Sequence, residues 1–114
     1  MTAAEFRRLA LSFPETVESS HMDHPDFRVG GKIFATLSPP GQGWGMVKLW
    51  PDEQAEFIKA EPKVFVPAAG AWGQKGATLV RLSGAKKATV LRAMTLAWRR
   101  TAPPKIATLL KTEG

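Results

Sequence analysis

Apolar positions along the chain switch from helical spacing to alternation and back, and the switches mark the elements. Phe6, Leu9, Ala10 and Phe13 recur at helical spacing behind Thr2-Ala3-Ala4-Glu5. That tetrapeptide has the hydroxyl and the glutamate, three residues apart, of a capping box. A first helix is predicted from Thr2 to Ser12, ended by Pro14, because the residue before a proline is pushed out of the helical region. Glu15 to Pro25 is polar and without period, and reads as irregular. Asp26 to Val29 and Lys32 to Leu37 then read as strands around Gly30-Gly31, a tight-hairpin signal because both central positions of a type I′ turn take positive φ. Pro39 to Gly43 is a second turn and Trp44 to Leu49 a third strand, completing a meander.

Pro51-Asp52-Glu53 opens the next helix, with proline at its first position and acids facing the positive end of the dipole. Phe57 and Ile58 are its expected core contacts and Pro62 its stop. Val64 to Val66 is a short strand, Pro67 to Gly76 a loop of small residues carrying Trp72, and Thr78 to Leu82 another strand. Between Lys86 and Thr101, Val90, Leu91, Met94, Ala97 and Trp98 form one apolar stripe, with Arg92 and Arg99 opposite. Pro103-Pro104 ends that helix, and a short tail helix is expected over Lys105 to Leu110. Strands in the middle and helices mostly at the ends predict an α+β fold, a two-layer sandwich with an antiparallel sheet covered by helices on one face. The connections are too short for a doubly wound parallel sheet. A single domain over residues 1–114 is expected.

Charge changes this picture. Residues 1–61 hold six Lys/Arg and nine Asp/Glu, a balance of −3; residues 62–114 hold ten Lys/Arg and one acid, a balance of +9, giving the chain its net +6. A field of that kind attracts polyanions, of which nucleic acid is the commonest large one. There are no cysteines, which excludes disulfides and thiolate chemistry and agrees with a reducing compartment. The N-terminus lacks the basic-then-apolar order of a signal peptide, and no apolar run approaches the ~18 residues of a membrane span. A cytoplasmic location, no membrane partner and a monomer are the expectations.

Catalysis finds no support in the residues. No serine sits in a nucleophile elbow, and the two histidines share one segment, His21-Met22-Asp23-His24-Pro25-Asp26. That segment has the donors for a metal but not the helical i, i+4 spacing, and no metal or other cofactor is assigned to it. Gly70 to Gly76 has glycines and Lys75 but lacks the ending of a phosphate loop. Its Trp72 either closes an edge of the core or stands exposed beside Lys75 as a stacking platform for a nucleotide or single strand.

The segments His24 to Ala35, Lys48-Leu49 followed by Pro51 to Gln54, Val64 to Pro67, and Ala71-Trp72-Gly73 through Thr78 together resemble the MmcQ/YjbR family, from about Phe6 to Trp98. The pattern departs at Trp50, where a small hydroxyl residue is expected to cap the helix. The resemblance implies a twisted antiparallel sheet with two helices on one face, as in the frataxin-like (CyaY-like) fold. It also implies DNA binding through hairpin wings, and it transfers no catalytic residue. An iron site of frataxin type would need acidic ligands on the first helix, where this chain has Arg7-Arg8. On the winged reading, Arg28 and Lys32 form one basic tip, and Lys75, Arg81, Lys86 and Lys87 a second surface with Trp72, contacting phosphates without reading sequence. The alternative is a small-molecule or anion site between the sheet and the Trp72 loop. A third reading, a protein adaptor, needs Trp44, Trp50 and Phe65 to form one exposed apolar patch.

Overall fold

In the computed structural model, which describes residues 1–110, six strands form one antiparallel sheet in the order β1-β2-β3-β4-β6-β5. The strands are β1 (Thr16–His21), β2 (His24–Val29), β3 (Lys32–Leu37), β4 (Trp44–Lys48), β5 (Phe65–Pro67) and β6 (Ala77–Arg81). The α-helices are α1 (Ala3–Leu11), α2 (Pro51–Ala60), α3 (Gly70–Gln74), α4 (Lys87–Thr101) and α5 (Pro104–Ala107). The architecture is the α+β sheet-and-helix sandwich that the pattern predicts.

α1 starts at the expected capping box: the Glu5 N–H donates to the Thr2 hydroxyl, and the Thr2 N–H to the Glu5 carboxylate. Phe6, Leu9 and Ala10 bury its inner face. On α4 the buried stripe is Val90, Ala93, Met94, Ala97 and Trp98, with Thr89, and Leu91 lies at its exposed border. At 100° per residue Leu91 belongs to the helix's flank, since the i, i+3, i+4, i+7 set runs through Ala93 instead. The two helices meet the sheet over Phe27, Val29, Phe34, Leu37, Val47 and Val80.

Trp98 closes this core. It has no exposed surface, its ring stacks at 6.0 Å on Phe13, and Phe13 meets Phe34 edge-on at 6.1 Å. The indole N–H donates to the Pro14 carbonyl at 3.2 Å, so the polar atom is satisfied as well.

Three elements differ from the sequence expectations. β1 lies in the stretch read as irregular. It is an edge strand, exposed along most of its length, so backbone pairing with β2 defines it and no apolar alternation announces it. The Met22-Asp23 turn that joins them takes positive φ without a glycine. α3 occupies part of the loop expected around Trp72. On α2 the buried residue is Gln54, while Phe57 and Ile58 are half-buried against the core. The Gln54 amide donates at 3.0 Å to the carbonyls of both Gly73 and Ala77, which fixes α3 against β6.

Replacing Trp98 with alanine is expected to cost about 3–5 kcal/mol of unfolding free energy in urea titration, the range for deleting a buried aromatic side chain. A loss under about 1 kcal/mol would contradict the closing role given to this ring.

Candidate anion-binding cleft

The strand registers sort side chains between the two faces of the sheet. Phe27, Ala35, Val47 and Thr78 are linked through paired positions and face the helices, as does Val80, which pairs with Gly45 and Phe65. Asp26, Thr36, Met46, Leu79 and Val66 form a row across the opposite, uncovered face. Lys48 pairs with Ala77 on that uncovered face, at the end where β4 stops and β6 begins.

A cavity of about 260 Å³ opens at this end, lined by Lys48, Trp72, Lys75, Ala77 and Arg100. Each lining residue arrives from a different place. Lys48 ends β4, Trp72 lies on α3, Lys75 caps α3, and Arg100 reaches over from the last turn of α4. Arg100 Nη1 donates to the carbonyls of Leu49 and, at 2.9 Å, Lys75, and the guanidinium lies 4.1 Å over the Trp50 ring. Trp50 caps α2 without a side-chain hydrogen bond, although its N–H donates to Glu53 at 3.0 Å. The departure from the family pattern at this position therefore has a structural correlate: the indole supports a cation instead of capping a helix.

Gly76 lies in the chain between two residues that line the cleft, Lys75 and Ala77. Gly76 sits at φ +111°, and a Cβ there would overlap the Leu49 carbonyl. Trp72 is 62% exposed and Trp50 50%. Trp72 thus does not close the core.

Lys48, Lys75 and Arg100 form no ion pair among the described residues. Burial pushes the Lys48 ammonium below the usual lysine range, and the charges of Arg100 and Lys32 push it the same way. Burial also lowers Arg100, against an opposing pull from Glu53.

The residues singled out from sequence separate into three places. Trp72 and Lys75 line the cleft, and Lys32 is near enough for its charge to act on Lys48. Arg81, Lys86 and Lys87 lie at the other ends of β6 and α4, the latter roughly 20 Å long at 1.5 Å per residue. Arg81 lies 4.6 Å over Trp44. Arg28 donates to the buried carboxylate of Asp26 at 2.8 and 3.1 Å, which commits its fork within the protein. At the hairpin tip Gly30, Gly31 and Lys32 are exposed, while one side of Gly30 backs onto Pro103, 2.6 Å from where a Cβ would stand. The seven residues therefore do not make one continuous surface.

Three contributors escaped sequence reasoning. In the sequence Lys48 is one polar residue of a strand, Arg100 one of two adjacent arginines near a helix end, and Trp50 a residue that cannot cap through a hydroxyl. The signal was Trp50 itself, an aromatic where a cap belongs and two residues from Lys48. The adaptor reading fails, since Phe65 is fully buried and Trp44 and Trp50 each carry an arginine.

Two other sites are less suited to an anion. The groove between α2 and α4 is larger, about 500 Å³, but Glu56 and Glu61 there offset Arg92 and Arg99. The histidine segment is a β-hairpin in which His21 contacts Asp26 at 2.6 Å and the two imidazoles pack edge-on at 4.2 Å. No group of three or more metal-ligating side chains occurs among the described residues. Nor is any described helix long and apolar enough to cross a membrane.

Asp26 is held below the usual carboxylate range by Arg28, with burial opposing and His21 assisting. The unfolded chain then takes up the proton first, so this contribution is present above about pH 4 and lost as pH falls below it. Asp26→Asn is expected to lower stability at pH 7 and to flatten the acid limb of a stability–pH curve. An unchanged acid limb would remove Asp26 as its source.

A family model described as YjbR matches residues 11–100. The fold is similar to the crystal structure of Deinococcus radiodurans protein DR2400, which carries the family domain DUF419. The TM-score is 0.74 at 17% identity, over 85% of this chain and 75% of that one. No curated protein matches the chain at a significant level.

Proposed function

The chain belongs to the YjbR family, and we propose that it is a cytoplasmic, non-enzymatic protein that binds nucleic acid with little sequence preference. One observation carries this reading: Lys48, Lys75 and Arg100 converge on one cleft beside exposed Trp72, with no carboxylate paired to any of them among the described residues. Like charges held together repel, and an anion in the cleft relieves that repulsion. The contacts such a cleft offers are phosphate contacts, which position a strand without specifying bases. DNA is the partner to test first.

A free small anion is the second reading, and the concavity of the cleft favours it. The cavity volume of about 260 Å³ is below the ~300–1,000 Å³ of typical small-molecule sites, which suits part of a longer ligand better.

Titration of labelled single-stranded and duplex DNA at two salt concentrations tests the proposal. Affinity should fall steeply with salt, with a log–log slope of about −2 to −4 for three or four neutralised phosphates. Lys75→Gln should reduce the slope's magnitude by about one. Absence of binding at low salt ends the proposal.

Lys48→Met gives an independent check. It removes a half-buried charge repelled by its neighbours, so the free protein should melt at a higher temperature while its DNA affinity falls. A lower melting temperature would mean that Lys48 is structural.

A further inference from the structure

We propose that the cleft takes an unpaired nucleotide, its base stacked on Trp72 and its phosphate held among Lys48, Lys75 and Arg100. The inference rests on the nucleic-acid reading above and narrows the ligand to single-stranded segments.

The first support is the placing of Trp72. A tryptophan buries more apolar area than most side chains, and leaving one 62% exposed forgoes that gain. Yet its support is firm. α3 is tied to α2 and β6 by the two hydrogen bonds of buried Gln54, and its C-terminal carbonyl at Lys75 is held by Arg100. An indole presented on a fixed backbone loses little freedom when a ring stacks on it.

The second is Arg100. Its Nη1 is occupied by two backbone carbonyls and its plane lies against Trp50, so its position is set before any ligand arrives. Its Nη2 and Nε make no hydrogen bond among the described residues. These are the donors a phosphate uses in a guanidinium fork. Lys48 and Lys75 add point charges on the same cavity.

The third is the juxtaposition. A duplex keeps its bases stacked inside and offers this indole sugar and phosphate only. An unpaired nucleotide presents a π-face and a phosphate together, matching an exposed aromatic beside a group of cations. Phosphate alone would use the cations and leave Trp72 without a role.

Three labelled probes of equal phosphate number separate these cases at low salt: a ten-residue thymidine strand, an abasic strand of the same length, and a hairpin duplex. Wild-type protein should bind the thymidine strand roughly 5- to 100-fold more tightly than the abasic strand, from the stacking of one base. The duplex should bind no better than the abasic strand. Trp72→Ala should bring the thymidine strand down to abasic affinity and leave abasic affinity unchanged, while Trp72→Phe keeps part of the difference.

Equal wild-type affinity for the thymidine and abasic strands, or tighter duplex binding, overturns the stacked base and leaves the electrostatic reading standing. So does a Trp72→Ala variant that weakens every probe alike. A thymidine mononucleotide that competes as well as the strand overturns it in favour of a small anionic ligand. Failure of all three probes to bind overturns both proposals.

Discussion

Trp98 has no exposed surface, and its burial joins segments far apart in the chain. Its ring lies against Phe13 just beyond α1, through Phe13 it reaches Phe34 on β3, and its N–H is taken by Pro14 at the bend into β1. A large apolar surface is removed from water, and the one polar atom that would oppose removal is satisfied. Two residues further on, in the last turn of the same helix, stands Arg100. The position of the guanidinium in the cleft follows from how α4 is anchored through Trp98, so core and cleft share one geometric origin.

The parts of the fold legible in the sequence are those where burial leaves a period. Phe6, Leu9 and Ala10 on α1 and Val90, Met94 and Ala97 on α4 repeat every three or four residues because one face of each helix is dry. Gly30-Gly31 marks its hairpin because two successive positive φ angles are needed there. β1 left no such trace: it has water on both sides over most of its length, and its pairing uses only backbone atoms. Gln54 left none either, because a buried amide with two carbonyl acceptors looks, in a sequence, like any polar helix residue.

The cleft was half legible for a related reason. Trp72 and Lys75 are close in sequence and read as a pair, but Lys48 and Arg100 join them only through the pairing of β4 with β6 and the reach of α4. Charge counted along the chain is a poor guide to charge in space here. Lys75 and Arg100 lie at one end of β6 and α4 and Arg81, Lys86 and Lys87 at the other, while Lys48 from the first half completes the cluster. Pairing with Asp26 takes Arg28 out of the set that the sequence suggests.

Main-chain packing at Gly76 constrains where Arg100 can sit in this cleft. The Leu49 carbonyl packs on the α-carbon of Gly76 and also receives Arg100, so a side chain at 76 would displace the oxygen that positions the guanidinium. Trp72, Lys75 and Lys48 line the cleft beside it. The arginine of the cleft is thus set by main chain, and a side chain at position 76 would reach the site without replacing any residue that lines it.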